Sequence, residues 1–367
     1  MNHKSLQSPQ RQFTPAFLNS VLQPFLDTDS VTVIEVKEEK LVGQFNADLR
    51  RLYLTYDQPA GTAPHSLIAK LPTTNANLNE RAAVFQPGSR ENWFYSSGAS
   101  HSSVHVPCCY YNTTDNTTGQ SILLLEDLAH APTGNQFSGS TVEQAELALN
   151  SLARLHAGWW NDTSSMAIQE LTQLIAQNWE AEQNLVGDLY DMAWSQFLRQ
   201  ALVIIPEDVR RFGAALVGNI RMADALIAQA PKTLVHGDFR LENIHFGQHN
   251  GRSVCWLIDW EDVFVGSGFI DVSWFLGGCL PVEESHHEMS LLQRYYQTLV
   301  DEGVNDYSWE RCYYDYRCAM VSSFVQGVLS ATLDEDADEQ EHHLARVVAQ
   351  RFVHAAQRLH LAETLSL

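Results

Sequence analysis

The apolar residues of this chain change their period near Asp127, and that change limits what the chain can fold into. Between residues 31 and 126 they fall in short runs, "VTVIEV", "RRLYLTY", "SLIAKL" and "SILLLEDL", separated by polar or Pro/Gly-containing turns. That is the pattern of half-buried strands. Beyond Asp127 the spacing becomes helical, first in "TVEQAELALNSLARLHAGWW", with Thr141 as N-cap, then across residues 166–230 and 283–365. One helical candidate, "SRENWFYSS" at 89–97, interrupts the strand region. The expectation is an α+β chain: a small β-rich N-terminal lobe at residues 1–127, of which 1–30 are an extension, and a larger, mainly helical C-terminal lobe at 128–367.

Charge narrows the partners. The chain carries 44 Asp and Glu against 23 Lys and Arg, a formal net of -21. Such a field repels phosphate backbones and anionic lipid, so nucleic acid and membrane surfaces are poor partners, and a cationic or neutral small molecule fits better. The same acidity also serves solubility. The N-terminus "MNHKSLQSPQRQF" lacks the apolar core of a secretory signal, and the six cysteines contain no C-x-x-C pair. Reduced thiols in a cytoplasmic protein are expected, and the three Asn-x-Thr triplets at Asn112, Asn116 and Asn161 carry no weight.

Within the helical half lies one β island, residues 233–263. "NIHF" and "VCWLID" read as two strands joined at Asn250-Gly251, two residues that tolerate positive φ. "TLVHGD" is read as entering the first strand through a loop. Asp238 and Asn243 then lie on a loop beside the hairpin while Asp259 ends its second strand, so three polar groups can converge. Phosphoryl transfer needs such a set: an aspartate to orient the acceptor hydroxyl, and an asparagine and a second aspartate to hold a divalent cation. His236-Gly237-Asp238 followed by Asn243 keeps the five-residue interval of H-R-D-x-x-x-x-N.

"HGDFRLEN" followed about sixteen residues later by "IDWED" resembles the aminoglycoside phosphotransferase-like, or choline/ecdysteroid kinase-like, family of small-molecule kinases. The resemblance implies a bilobal protein-kinase-like fold with ATP between the lobes and Mg2+ on Asn243 and Asp259. It implies that Asp238 is the catalytic base, and that Lys70 in "LIAKL" grips the phosphates. Glu91 would orient Lys70, with Glu80 as its rival, and the backbone of Glu126 to Leu128 in "LLLEDL" would read adenine. Asp271 in "DVSWFL" would prop the catalytic loop and His236 would pack beneath it; His156 is likewise read as structural. The region over the phosphates has a single glycine, Gly43, so residues 43–47 are the candidates for phosphate contact. His245 stands where the family has an aliphatic residue and is expected to face solvent.

The resemblance implies an acceptor that is a small molecule with a hydroxyl. Glu283, Glu284, Asp301 and Glu302 would suit a cationic acceptor, whereas the aromatics of "RCYYDYRCAM" would suit a flatter, less charged alcohol. A catalytically inactive kinase-like binding protein is the alternative from another class, but Lys70, Asp238, Asn243 and Asp259 are all present. A protein kinase would need an A-P-E segment, which is missing after Asp259. No H-E-x-x-H or comparable ligand set occurs, so no zinc site is expected.

Overall fold

The computed structural model describes residues 13–26, 31–41, 47–72, 86–114, 121–334 and 337–365. Gly43 and Glu80 lie outside them. The chain divides into two compact units: Met1–Ser100, Val106–His130 and Trp260–Asp262 form the first, and His101–His105, Ala131–Asp259 and Val263–Leu367 the second. Among the described residues no helix is long and apolar enough to cross a membrane.

The first unit is built on an antiparallel sheet of β1 (Val33–Lys40), β2 (Ala47–Tyr56), β3 (Ser66–Pro72), β4 (Cys109–Thr114) and β5 (Ser121–Glu126), in the order β1-β2-β3-β5-β4. Alternation along β3 buries Leu67, Ala69 and Leu71 on one face, which leaves Lys70 on the other. Strand β4, "CYYNTT", escapes the sequence pattern for a physical reason. It is an edge strand in which every residue is half-buried, so no two-residue alternation marks it.

The described part of the N-terminal extension is not a loose tail. Helix α1 (Pro15–Leu22) is capped by the Thr14 side chain and buries Leu18, Val21 and Leu22 in the same core as Val33, Leu52 and Ala69. The Asn19 amide clasps the backbone of Val33, donating to its carbonyl at 3.0 Å and accepting from its N–H at 2.7 Å. The helical candidate at 89–97 becomes α2 (Pro87–Trp93), with proline at its first position, followed by a π-helical turn over Phe94–Gly98.

In the second unit, Thr141 caps α3 (Val142–Gly158) as the sequence predicts, in a full capping box with Gln144. Then come α4 (Met166–Ala176), α5 (Trp179–Gln200), α6 (Glu207–Leu216), α7 (Arg221–Ile227), α8 (Phe269–Gly278), α9 (Glu288–Asp301), α10 (Trp309–Ser330), α11 (Glu339–Arg358) and α12 (Leu361–Thr364). The acidic run "LDEDADEQEHH" leads into α11, capped by Asp338 with Glu341.

The β island holds two pairs of strands, not one. β7 (Ile244–His249) and β8 (Arg252–Leu257) form the expected hairpin, and Asn250 and Gly251 both take positive φ, +50° and +73°. "TLVHGD" does lead into the hairpin through a loop, but the sequence reading drew no paired strand ahead of that loop. Lys232–Val235 is a strand, β6, paired antiparallel with β9, Phe264–Ser267. Each has four residues, too short to declare a period, and each finds its partner some thirty residues away.

Close packing of α8, α10 and α11 depends on glycine. A Cβ on Gly327 of α10 would stand 2.3 Å from the Phe352 ring, and Gly277 and Gly278 of α8 meet the same ring. Phe352 is buried and stacks on Trp274, so it has nowhere to move. Gly327→Ala should therefore destabilise the fold by about 1–3 kcal/mol through overpacking, although alanine favours helix by about 1 kcal/mol. An unchanged urea midpoint would show that the ring has room to yield.

Candidate active site

Each unit presents one part of the expected machinery. In the second, the loop from β6 to β7 is hung from α8 by one buried carboxylate. Asp271, fully buried, accepts the His236 N–H at 2.7 Å on Oδ2 and the Gly237 N–H at 2.9 Å on Oδ1. Gly237 has φ +89°, a conformation open to glycine and costly for other residues, which explains the glycine between His236 and Asp238. Asp271 is itself 3.3 Å from His156 Nε2, and His156 Nδ1 lies 2.8 Å from the Tyr295 hydroxyl.

His236 is a strut. Its Nε2 lies 2.9 Å from the Ile258 carbonyl, which can only accept, so the proton sits on Nε2 and Nδ1 receives the Asp238 N–H at 3.3 Å. Both ring nitrogens are thus committed to the backbone.

The Asp238 carboxylate is engaged on one side. Oδ2 accepts from Arg240 Nε at 2.8 Å and from Asn243 Nδ2 at 2.9 Å, while Oδ1 takes no hydrogen bond among the described residues. Asn243 Nδ2 also reaches the Asp238 carbonyl at 2.9 Å, which fixes the amide so that its Oδ1 faces away. That oxygen is buried and has no hydrogen-bond partner among the described residues. An orphaned buried acceptor is costly, and a donor, a bound water or a cation can satisfy it.

Arg240 also pairs with Glu242. Burial works against its charge, but the carboxylates of Asp238, Glu242 and Asp259 outweigh it and hold the guanidinium pKa above its ordinary value. Asp259 follows the hairpin. Pairing of Ile244 with Leu257 is extended by an Ile258 N–H bond to the Asn243 carbonyl at 3.1 Å, so Asp259 stands one residue beyond the point bonded to Asn243. Strand β8 stops at Leu257, two residues sooner than the sequence reading had it, because Asp259 takes φ +67° and leaves the extended conformation.

In the first unit Lys70 Nζ lies 2.7 Å from Glu91 Oε2, so the pair expected from the sequence is formed. A second carboxylate, Glu261, meets the same ammonium at 2.6 Å, and the sequence reading missed it. The short turn Trp260–Asp262 carries Glu261 there, anchored by the fully buried Trp260, whose ring stacks on Phe94 at 3.6 Å. The available signal was a second acid two residues after Asp259 in "IDWED". Arg240 was missed as well, although it sits two residues from Asp238.

Beside β5, Glu126 bonds the backbone of Cys108 twice, through its N–H at 2.8 Å and its Oε2 at 3.1 Å. Leu128 is buried. Asp127 between them is held by Arg51 Nε at 2.7 Å and by the Ser66 hydroxyl at 2.7 Å.

Other expectations change. His245 does not face open solvent: its Nδ1 bonds the Ala131 carbonyl at 2.5 Å, tying β7 to the segment after β5. The aromatics of "RCYYDYRCAM" do not form one wall. Tyr316 is fully buried, Tyr313 stacks on Trp309, and Tyr314 is half exposed. Asp301 is bonded to Gln297 and Glu302 is paired with Arg154. All six cysteines are free thiols, and burial pushes those of Cys255 and Cys279 up to about 11 and about 12, so neither is a nucleophile at neutral pH.

Solved structures of other proteins share the fold. A Ralstonia eutropha JMP134 protein assigned to the aminoglycoside phosphotransferases superposes with a TM-score of 0.52 at 13% identity, over 96% of this chain and 99% of that one. Choline kinase from Cryptosporidium parvum Iowa II gives 0.53 at 8% identity, over 94% and 95%. No curated protein matches in sequence. The model of the ecdysteroid kinase-like family matches residues 44–304, well over half of the chain. With that match over both the Lys70 strand and the His236–Asn243 loop, the chain belongs to the ecdysteroid kinase-like family and is a small-molecule kinase of protein-kinase-like fold.

Proposed function

We propose that the protein transfers the γ-phosphoryl group of ATP to a hydroxyl of a small molecule, with Asp238 as the residue that orients and deprotonates the acceptor. The observation that carries this reading is the asymmetry of the Asp238 carboxylate. Arg240 and Asn243 fill Oδ2 and lock the side chain, which leaves Oδ1 for an incoming O–H.

Lys70, steadied by Glu91, binds the nucleotide phosphates. Glu261 must then share that ammonium with them. Adenine lies against the backbone from Glu126 to Leu128, and residues 43–47, with Gly43, remain the proposed phosphate cover. His236 and Asp271 act through the backbone, by fixing where Asp238 points.

The residues present fit Mg2+. Asn243 offers a buried oxygen with no hydrogen-bond partner among the described residues and Asp259 a carboxylate, and hard oxygen donors are what this cation takes. When bound, it supplies positive charge against phosphate oxygens as charge shifts among them. Alignment by these groups, more than proton transfer, provides the rate.

The reading is tested by incubating purified protein with Mg-ATP and a panel of aminoglycosides, amino alcohols, sugars and sterols, with mass spectrometry for one added phosphoryl group. A product from the cationic members and none from the sterols would define a charged acceptor, and the reverse a flatter alcohol. In the same assay Lys70→Ala should raise KM for ATP at least about tenfold, since it removes a charge-assisted phosphate contact. Equal KM in that variant would remove Lys70 from the nucleotide site.

A further inference from the structure

Spacing in the sequence predicts no zinc site, yet one turn of the second unit gathers a ligand set. In the 3₁₀ turn Val282–His287, Glu284, His286 and His287 each bring one ligand atom within 4.8 Å of the others. We propose that this turn binds a single borderline divalent cation, Zn2+ or a chemical relative such as Co2+, through these three side chains.

The tautomer of His286 suits such a role. His286 Nδ1 lies 3.0 Å from the Glu283 carbonyl, which can only accept, so Nδ1 carries the proton and Nε2 keeps its lone pair. That is the arrangement of metal-ligating histidines, whose second nitrogen donates to a carbonyl or carboxylate and thereby fixes the tautomer. The His287 ring stands 4.0 Å from the His286 ring, centroid to centroid, and its Nε2 is 3.6 Å from Glu284 Oε2. Two nitrogens and a carboxylate oxygen thus converge from four consecutive residues.

The backbone beneath them is held on both sides. Ahead of the cluster the Glu284 N–H bonds the Pro281 carbonyl at 3.0 Å. Within it, the Ser285 hydroxyl bonds His354 Nε2 of α11 at 3.1 Å. Behind it the Ser290 hydroxyl bonds the His287 carbonyl at 2.7 Å, and buried Glu288 is bonded to Arg358 of α11. Only the side chains must move to close on a cation. Zn–N bonds of about 2.0–2.1 Å set tetrahedral ligand atoms about 3.4 Å apart, a contraction of at most about 1.5 Å that rotation about χ angles of half-exposed side chains supplies.

Donor chemistry selects the metal. Two imidazoles and one carboxylate suit Zn2+, Co2+, Ni2+ or Cu2+, whereas Mg2+ and Ca2+ require oxygen donors. Three protein ligands leave a fourth position for water or an exchangeable group. The net charge of -21 adds a long-range attraction for any divalent cation.

The test is titration of the chelator-stripped full-length protein with Zn2+ by calorimetry, and with Co2+ by visible absorption, both in a large excess of Mg2+. One equivalent of Zn2+ should bind, and His286→Ala and His287→Ala should each weaken it at least about tenfold, because each removes a ligand of three. Glu284→Gln should weaken it less, since an amide oxygen can still coordinate. The exposed pair His342 and His343, changed together to alanine, is the control and should leave the stoichiometry and affinity intact. The idea fails if Zn2+ does not bind at micromolar concentration, if the His286→Ala/His287→Ala double variant binds as the parent does, or if the control variant loses the site. Circular dichroism melts without metal establish that each variant is folded.

Discussion

Asp238→Asn is expected to lower kcat by about 10²- to 10⁴-fold, the range that a positioned general base contributes, while the protein stays folded and keeps its affinity for nucleotide. The asparagine oxygen can keep the place of Oδ2, where Arg240 and Asn243 donate, so the NH2 group falls on the side of Oδ1. A donor then stands where the acceptor hydroxyl needs to give up its proton. Arg240 loses an ionic partner, but the pair is about a quarter exposed on each side, so stability should change by no more than about 1 kcal/mol. Single-turnover kinetics with equilibrium binding of a fluorescent ATP analogue separates the two effects. Wild-type turnover in this variant would end the assignment of Asp238. Loss of nucleotide affinity together with turnover would instead make Asp238 a structural residue of the loop.

The second large effect should come from a residue that need not touch any substrate. Asp271→Ala removes the acceptor of two backbone N–H groups and the neighbour of His156, where Asp271, His236 and His156 are fully buried and Gly237 partly so. Each buried donor left unsatisfied costs about 1–3 kcal/mol, and breaking a buried charged network about 3–5 kcal/mol in total. The expected outcome is a fall of that size in unfolding free energy, with kcat reduced because His236 and Gly237 no longer fix Asp238. Asp271→Asn, which opens no cavity, should also be impaired, since its NH2 group must face one of the two N–H donors. Denaturant midpoints and kcat measured side by side decide the matter. If the alanine variant keeps both, the loop is held by something other than Asp271.

Legibility in the sequence followed interaction range. The hairpin turn at Asn250-Gly251, the capping box at Thr141 and the alternation that turns Lys70 away from Leu67, Ala69 and Leu71 are local, and each was readable from a few adjacent residues. The Asp238–Asn243 spacing was readable too, because a short loop leaves the two side chains little choice but to meet. Strands β4, β6 and β9 were not readable, since β4 has no buried face and the other two are four residues long. His245 was misjudged because its partner, the Ala131 carbonyl, lies more than a hundred positions away.

By itself, then, the sequence determined the division into strand-rich and helical regions, the spacing of His236, Asp238 and Asn243, and the chemistry that those residue types can perform. Periodicity and short spacing are properties of neighbouring residues, and those are written along the chain. Only the tertiary structure decided that Glu261 joins Glu91 on Lys70, that Arg240 occupies one oxygen of Asp238, and that Asn243 keeps a buried oxygen without a partner among the described residues. Those facts depend on which atom of a side chain meets which donor, to within a few tenths of an ångström. Packing of distant elements sets that, as Trp260 on Phe94 brings Glu261 to Lys70 and Asp271 on α8 sets the loop that carries Asp238.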